Sequence, residues 1–210
     1  MKARILVWLV ALFCCHNALF AQKEFVNASA RLSGHPRILL QKGEEKALKK
    51  VIMKDAVWKD IHQSLVDEAG EIVKLPLNER IKIGRRLLSV SRENLRRIFI
   101  LSYAYRMTGK SEFLKRAESE MLKAASFSDW NPSHFLDVGE MTMALAIGYD
   151  WLYPQLSVQT KKEIENAIVE KGLRPSFDER YNWFVNAVHN WSQVCHAGVT
   201  YCLLYTSDAA

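Results

Sequence analysis

The sequence has few of the residues that interrupt regular structure, and it has no segment typical of a β-strand. Its 210 residues include 9 glycines and 5 prolines. No stretch shows the alternation of β-branched and polar residues that a half-buried strand requires. From Gly43 onward, apolar residues instead recur at helical spacing almost everywhere. The sequence therefore predicts an all-α protein.

The sequence also lacks the short motifs of several enzyme classes. It contains no phosphate-binding loop, no nucleophile elbow and no metalloprotease motif. His189 and His196 lie seven residues apart on one face of a predicted helix, but no third ligand follows at metal spacing. We expect structural or cleft roles for both histidines, and the sequence predicts no metal, no other cofactor and no nucleic-acid partner.

Cysteine is scarce, with four in the whole sequence. Cys14 and Cys15 fall in an apolar N-terminal run, so only Cys195 and Cys202 remain beyond it. On one helix these two lie on the same face, but they are too far apart along it to form a disulfide. No disulfide framework is expected.

Residues 1–21 have the order of a secretory signal peptide. Lys2 and Arg4 precede an apolar run from Ile5 to Cys15, and Ala21 precedes the predicted cleavage point. The run is too short for a membrane-spanning helix, so we expect no membrane span after signal removal. The prediction is export to the periplasm or the exterior of a Gram-negative bacterium. The formal net charge of +6 includes Lys2 and Arg4, and the mild basic excess left without them suits an anionic substrate.

Buried and exposed helices are predicted to alternate along residues 44–201. Segments 94–107, 134–152 and 188–201 are apolar nearly all round, whereas 111–124 and 158–171 are charged with one apolar stripe. A helix that is apolar all round is buried, and a one-sided helix lies outside. Inner helices that recur roughly every fifty residues indicate stacked helical hairpins, in either a toroid or an open solenoid.

The ends of these elements give more specific expectations. Ser91 is predicted to cap the first inner helix, and Gly109 to end it. Residues 22–43 are expected to form an extended N-terminal segment. Residues 202–210 look like the translation of a sequencing-library adapter, because they follow Tyr201 in mid-helix without a glycine or proline stop. We expect them to be a non-native tail of a truncated chain, and the alternative is a genuine polar C-terminus.

Three segments resemble the helical domain of heparinase II/III-like polysaccharide lyases, and together they span most of residues 35–201. They are HPRILL at 35–40, WNPSHFLDVGEMTMALAIGYDWLY at 130–153 and HNWSQVC at 189–195. The resemblance implies an incomplete (α/α) toroid over residues 44–201, followed in the full-length parent by β-sandwich domains. It also implies β-elimination on a uronic-acid polysaccharide, such as a glycosaminoglycan or an alginate-like polymer.

This chemistry needs a group that holds the uronate carboxylate and a base that removes the C5 proton. The resemblance places Asn190 in the carboxylate-binding role. Trp191 departs from the family pattern, since a histidine commonly follows this asparagine, and His189 is the substitute base on this chain. The family usually supplies a tyrosine acid/base from a later inner helix, so the chain as it stands is expected to be inactive.

The remaining candidate site residues are polar or aromatic. His134, Asp137 and Glu140 lie one turn apart on a predicted apolar helix, where such a stripe either lines a cleft or forms a buried network. Tryptophans at helical spacing either stack on sugars or belong to the core. The predicted substrate-binding residues are Trp130, His134, Asp137, Glu140, Trp191 and Gln193.

Two other functions stay open from the sequence. A glycoside hydrolase would need paired carboxylates, for which Asp137, Glu140 and Asp150 are available. A non-catalytic glycan-binding module would need exposed aromatic side chains, for which Trp183 is a further candidate. The lyase, the hydrolase and the binding module would each bind a glycan, and the lyase, which the resemblance favours, would bind an acidic polysaccharide. The oligomeric state does not follow from the sequence.

Overall fold

The computed structural model describes residues 34–206, with side chains up to residue 202, and this part of the chain is mostly helical. The predicted signal peptide lies outside the described residues. The helices are α1 (Glu45–Lys54), α2 (Ala56–Lys74), α3 (Leu88–Thr108), α4 (Ser111–Ala125), α5 (Phe135–Leu152), α6 (Val158–Ala167) and α7 (Asn190–Thr206). Within residues 34–206 no strand forms, and the one isolated bridge pairs Ile83 with Arg86. The all-α prediction is confirmed.

Local sequence explains several helix ends. The Asp55 carboxylate accepts the backbone N–H groups of Val57 and Trp58 at the start of α2, and the Ser157 hydroxyl accepts that of Thr160 in α6. Both are N-caps that satisfy otherwise unpaired amides. Gly109 adopts a left-handed φ of 74° after α3, as glycine does readily. The predicted end of this helix is therefore confirmed.

The predicted cap at Ser91 is wrong, because α3 begins three residues earlier. Ser91 is a fully buried residue inside the helix. The backbone amide of Leu87, the residue before α3, donates to the Asp137 carboxylate at 2.6 Å. The Asp137 carboxylate, which belongs to another helix, thus accepts a hydrogen bond that a local N-cap residue would otherwise accept.

The inner helices α3, α5 and α7 run parallel to one another. Leu87 and Ile98 of the α3 region lie beside Asp137 and Gly148 of α5, so both contacts join residues fifty apart. Along α7, Trp191 contacts His134 and Cys195 lies against Gly139. In each pair of helices, a contact further along one helix is also further along the other. The N-terminal ends of all three helices therefore lie at the same end of the layer.

The charged helices α4 and α6 lie outside this layer. Thr160 of α6 donates to Glu118 of α4 at 2.7 Å, and Lys171 donates to the carbonyls of Ala125 and Phe127. After Ala167 the helix continues through a π-helical turn at Ile168–Leu173. Helices α5 and α7 pack side by side, with the charged α6 outside them. Residues 134–152 are buried nearly all round, as predicted. The same prediction for 188–201 is wrong, because α7 packs along one face only: between 188 and 202 only Cys195, Gly198 and Cys202 are buried, and Val188 is fully exposed.

The segment before α1 is tied to the C-terminal end of α5. The Asp150 carboxylate lies 2.5 Å from Nδ1 of His35 and accepts the backbone amides of Arg37 and Ile38 at 2.9–3.1 Å. Trp151 donates its indole N–H to the Ile38 carbonyl. The chain divides after Gly34, and this segment belongs to the same unit as the helices. No helix among residues 34–206 is long and apolar enough to cross a lipid bilayer.

Candidate functional site

A buried hydrogen-bond network joins the starts of α3 and α5, and Asp137 lies at its centre. One carboxylate oxygen accepts the Leu87 amide and the Asn131 side-chain amide, each at 2.6 Å. The other lies 2.7 Å from Nδ1 of His134. Because a carboxylate only accepts hydrogen bonds, Nδ1 of His134 carries the proton. Asp137 is fully buried, so it positions its neighbours and does not itself reach a substrate.

His134 connects this network to α7. Its Nε2 is buried and makes no hydrogen bond with the described residues. Its ring meets the Trp191 ring edge to face, with centroids 4.6 Å apart. Edge-to-face packing is a favourable aromatic geometry. His134 therefore fixes the position of Trp191 and does not extend into solvent.

Trp191 belongs to a surface aromatic cluster, made of Trp183, His189 and Trp191. The two tryptophan rings lie 4.9 Å apart, and His189 lies 6.0 Å from Trp183. Trp183 is 45% exposed, His189 is exposed, and Trp191 is partly buried. Of the predicted site residues, the structure brings together His134, His189 and Trp191, with Asn190 between the last two in the chain.

Asn190 is the first residue of α7 and is exposed. The backbone contacts at this helix start come from His189, whose carbonyl accepts the Ser192 amide at 3.0 Å and whose Nδ1 lies 3.4 Å from the Trp191 amide. The first-turn amides of a helix carry partial positive charge. The side-chain amide of the exposed Asn190 therefore lies at a helix end where a bound anion is stabilised.

Glu140 lies further along α5, at the edge of the site. Arg92 donates to both of its carboxylate oxygens at 3.1 Å. Burial raises the pKa of Glu140, and Asp137 adds to this effect, while Arg92 opposes it. Burial raises the pKa of the nearby Cys195 thiol to about 12, and the Glu140 carboxylate adds a smaller effect. Arg92 was missing from the sequence prediction, since nothing local links it to a residue 48 positions away.

Two predicted substrate-binding residues lie away from this cluster. Trp130 is fully buried and donates its indole N–H to the Ala124 carbonyl at 3.0 Å. It therefore has no face for a sugar and lies outside the site. Gln193 is exposed but lies two residues, roughly 200°, around the helix from Trp191. It lines a separate groove of about 660 Å³ with Arg37 and His196.

Asn131 is a further residue of the site, and its role was not predicted from the sequence. Its side-chain amide bridges the Arg85 carbonyl, at 2.8 Å, and Asp137. It has a positive φ of 60°, which asparagine tolerates better than most residues. An asparagine followed by proline was the available signal, because that pair favours a turn.

The comparisons with known proteins leave the family open. No family model matches the chain, and no curated protein sequence matches it significantly. Among residues 34–206, no three or more histidine, cysteine, aspartate or glutamate side chains are grouped so that they could hold a metal ion.

Proposed function

We propose that this chain is part of an exported polysaccharide lyase that cleaves a uronic-acid polymer by β-elimination. The substrate would bind where the inner helices begin, against the aromatic cluster and Asn190. The layer of parallel inner helices with charged helices outside it would then be part of an (α/α) toroid. The resemblance of three segments to heparinase II/III-like lyases suggests this function, and the arrangement of the site supports it.

The observation that carries the proposal is the shared direction of α3, α5 and α7. Each helix N-terminus has a partial charge of roughly +0.5 from its aligned peptide dipoles. At α3 and α5 the buried Asp137 lies against this charge. At α7 the first turn is solvent-accessible and is flanked by the exposed Asn190 and His189. A uronate carboxylate fits this end of the layer.

The chemistry assigns a step to each group. The Asn190 amide would donate to the substrate carboxylate and stabilise the negative charge that spreads into it when the C5 proton leaves. A base takes that proton, the C4–C5 double bond forms, and the C4–O bond breaks. An acid then protonates the departing oxygen. His189 is the candidate base on this chain, while Trp183 and Trp191 would stack on sugar faces.

A glycoside hydrolase is less well supported by the three carboxylates that suggested it. Asp137 and Asp150 are fully buried, and every oxygen of both is engaged by protein donors. Of the three, only Glu140 has a side chain that is partly accessible, at 11% exposure, and Arg92 donates to its carboxylate. These residues therefore do not provide an acid and a nucleophile or base on either side of a glycosidic bond.

A non-catalytic glycan-binding module remains a second candidate, because Trp183 is substantially exposed. The two proposals differ in their product. A lyase generates an unsaturated uronate with a characteristic ultraviolet absorbance, whereas a binding module leaves the polymer intact.

The test uses both the chain and the full-length parent that the resemblance implies. Binding of uronate oligosaccharides to the chain is measured by calorimetry, and absorbance of unsaturated product is followed with the parent. Asn190→Ala should abolish turnover and weaken binding, whereas the exposed Asn186→Ala should change neither. Absence of unsaturated product on heparin, heparan sulfate, hyaluronan and alginate would refute the lyase proposal. Binding that depends on Trp183 without any turnover would favour the glycan-binding module.

A further inference from the structure

A strongly basic turn lies beside the candidate site, between α2 and α3. We call residues 80–86 the basic turn; its sequence is RIKIGRR. Residues 81–86 are all exposed, and Ile81 and Ile83 are 63% and 71% exposed. The turn thus contains four basic side chains and two exposed apolar side chains, and no described residue buries Ile81 or Ile83.

The basic turn has a defined conformation. The amide of Ile83 donates to the Arg86 carbonyl at 2.9 Å, and the Arg86 amide donates back at 3.1 Å. Gly84 has a φ of 58°, a left-handed conformation that suits glycine in a tight turn. At its start, Arg80 forms an ion pair of 2.6 Å with Asp129. The turn is therefore closed by its own backbone and anchored at its base.

Most of the charge of the turn is not neutralised by the protein. Arg85 and Arg86 form no ion pair with the residues that the structure describes. Lys82 interacts with Asp129, but Arg80 already holds that carboxylate. Exposed guanidinium groups bind carboxylates and sulfates through paired hydrogen bonds. The turn thus presents a concentrated positive charge to an external anion.

A continuous series of contacts connects the basic turn to the aromatic cluster. The Arg85 carbonyl accepts the Asn131 amide, Asn131 donates to Asp137, Asp137 bonds His134, and His134 packs on Trp191. The turn and the site therefore lie at the same end of the inner helices. A polymer that binds the site and extends along this end of the layer would therefore reach the turn.

We infer that the basic turn binds the anionic groups of an acidic polysaccharide at sugar units beyond those held by Asn190 and the aromatic cluster. Lys82, Arg85 and Arg86 would pair with carboxylate or sulfate groups. Ile81 and Ile83 would contact the apolar faces of the sugar rings. The inference rests on the proposed function for its choice of polymer, and its proximity to the site favours a polysaccharide over an anionic membrane.

The test compares two variants of the whole chain that lose the same charge. In the first, Lys82, Arg85 and Arg86 are replaced by alanine; in the control, the exposed Lys46, Lys49 and Lys50 of α1 are replaced. Affinity for heparin, for alginate and for neutral dextran is measured at several salt concentrations. The first variant should bind heparin and alginate about tenfold more weakly, since exposed charge contacts each add little. Its salt dependence should also be shallower.

Three results would overturn the inference. The first is equal loss of affinity in the two variants, since that would reflect net charge alone. The second is unchanged affinity in the turn variant. The third is binding of phosphatidylglycerol vesicles, but not of polymers, that is lost in Ile81→Ser/Ile83→Ser. Lyase turnover is scored separately with Asn190→Ala, so loss of polymer binding in the turn variant would support the inference even where no elimination occurs.

Discussion

Gly198 of α7 lies directly against the backbone of Gly139 of α5. A Cβ atom on Gly198 would overlap the carbonyl group of Gly139, and one on Gly139 would lie 3.2 Å from the Cα atom of Cys195. Because these obstacles are backbone atoms, no side-chain rotation can relieve the clash. The close approach of α5 and α7, which brings His134 to Trp191, depends on this contact.

Gly198→Ala should destabilise the protein by forcing the two helices apart. Overpacking of this kind costs about 1–3 kcal/mol, measured as a shift in the urea unfolding midpoint. Gly70→Ala in α2 is the matched control, because nothing lies within 4 Å of its added Cβ. That change should stabilise the protein by about 0.5–1 kcal/mol, since alanine favours the helix. Similar effects at both positions would contradict the packing described.

Asp137→Ala should be among the most damaging single substitutions. It leaves the Leu87 amide, the Asn131 amide and Nδ1 of His134 buried without their acceptor. Loss of a buried carboxylate with several donors costs about 3 kcal/mol or more, measurable by chemical denaturation. Asp67→Ala on α2 removes only an exposed contact with Gln63 and should change stability by less than about 0.5 kcal/mol. An Asp137 variant as stable as this control would show that the network is dispensable.

Cys195 and Cys202 should resist alkylation while the protein is folded. Burial raises the pKa of both Cys195 and Cys202 to about 12, and the thiolate is the reactive form. Labelling with iodoacetamide at pH 8 should therefore be slow in buffer and fast in urea, as followed by mass spectrometry. Rapid labelling of Cys195 without denaturant would mean that α7 does not pack on α5 as described.

Acid should weaken the ion pairs at the start of α3. Hydrogen bonds from Arg96, and then Arg97, lower the pKa of Glu93 from 4.5 to about 2 despite partial burial. A depressed carboxylate pKa gives stability that is present above 4.5 and is lost as the pH falls toward 2. Glu93→Gln should thus cost on the order of 1 kcal/mol at pH 7, allowing for solvent screening, and progressively less in acid. A pH-independent difference from the parent protein would contradict this, and the exposed Glu71→Gln provides the control.

The candidate site was only partly predictable from the sequence. The resemblance selected His189, Asn190 and Trp191, and all three lie at the start of α7. The spacing of His134, Asp137 and Glu140 did not distinguish between residues that line a cleft and residues that form a buried network. Asp137 turned out to be buried because its carboxylate serves the amide of Leu87, a contact across fifty residues. Arg92 gave no local signal, since its contact with Glu140 spans 48 residues. The basic turn is visible in the sequence as a cluster of basic residues, but its position beside the site depends on the contacts of Asn131.

The sequence by itself determined the helical class, the positions of most helices and the contrast between the buried helix α5 and the charged helices α4 and α6. These follow from apolar spacing and from local signals such as Gly109, which act over a few residues. Only the tertiary structure decided that α3 begins at Leu88, that Trp130 has no exposed face and that α7 turns the face bearing Trp191 toward His134. Each of these depends on contacts between residues far apart in the chain, or on rotation about a helix axis once its buried face has been fixed by packing.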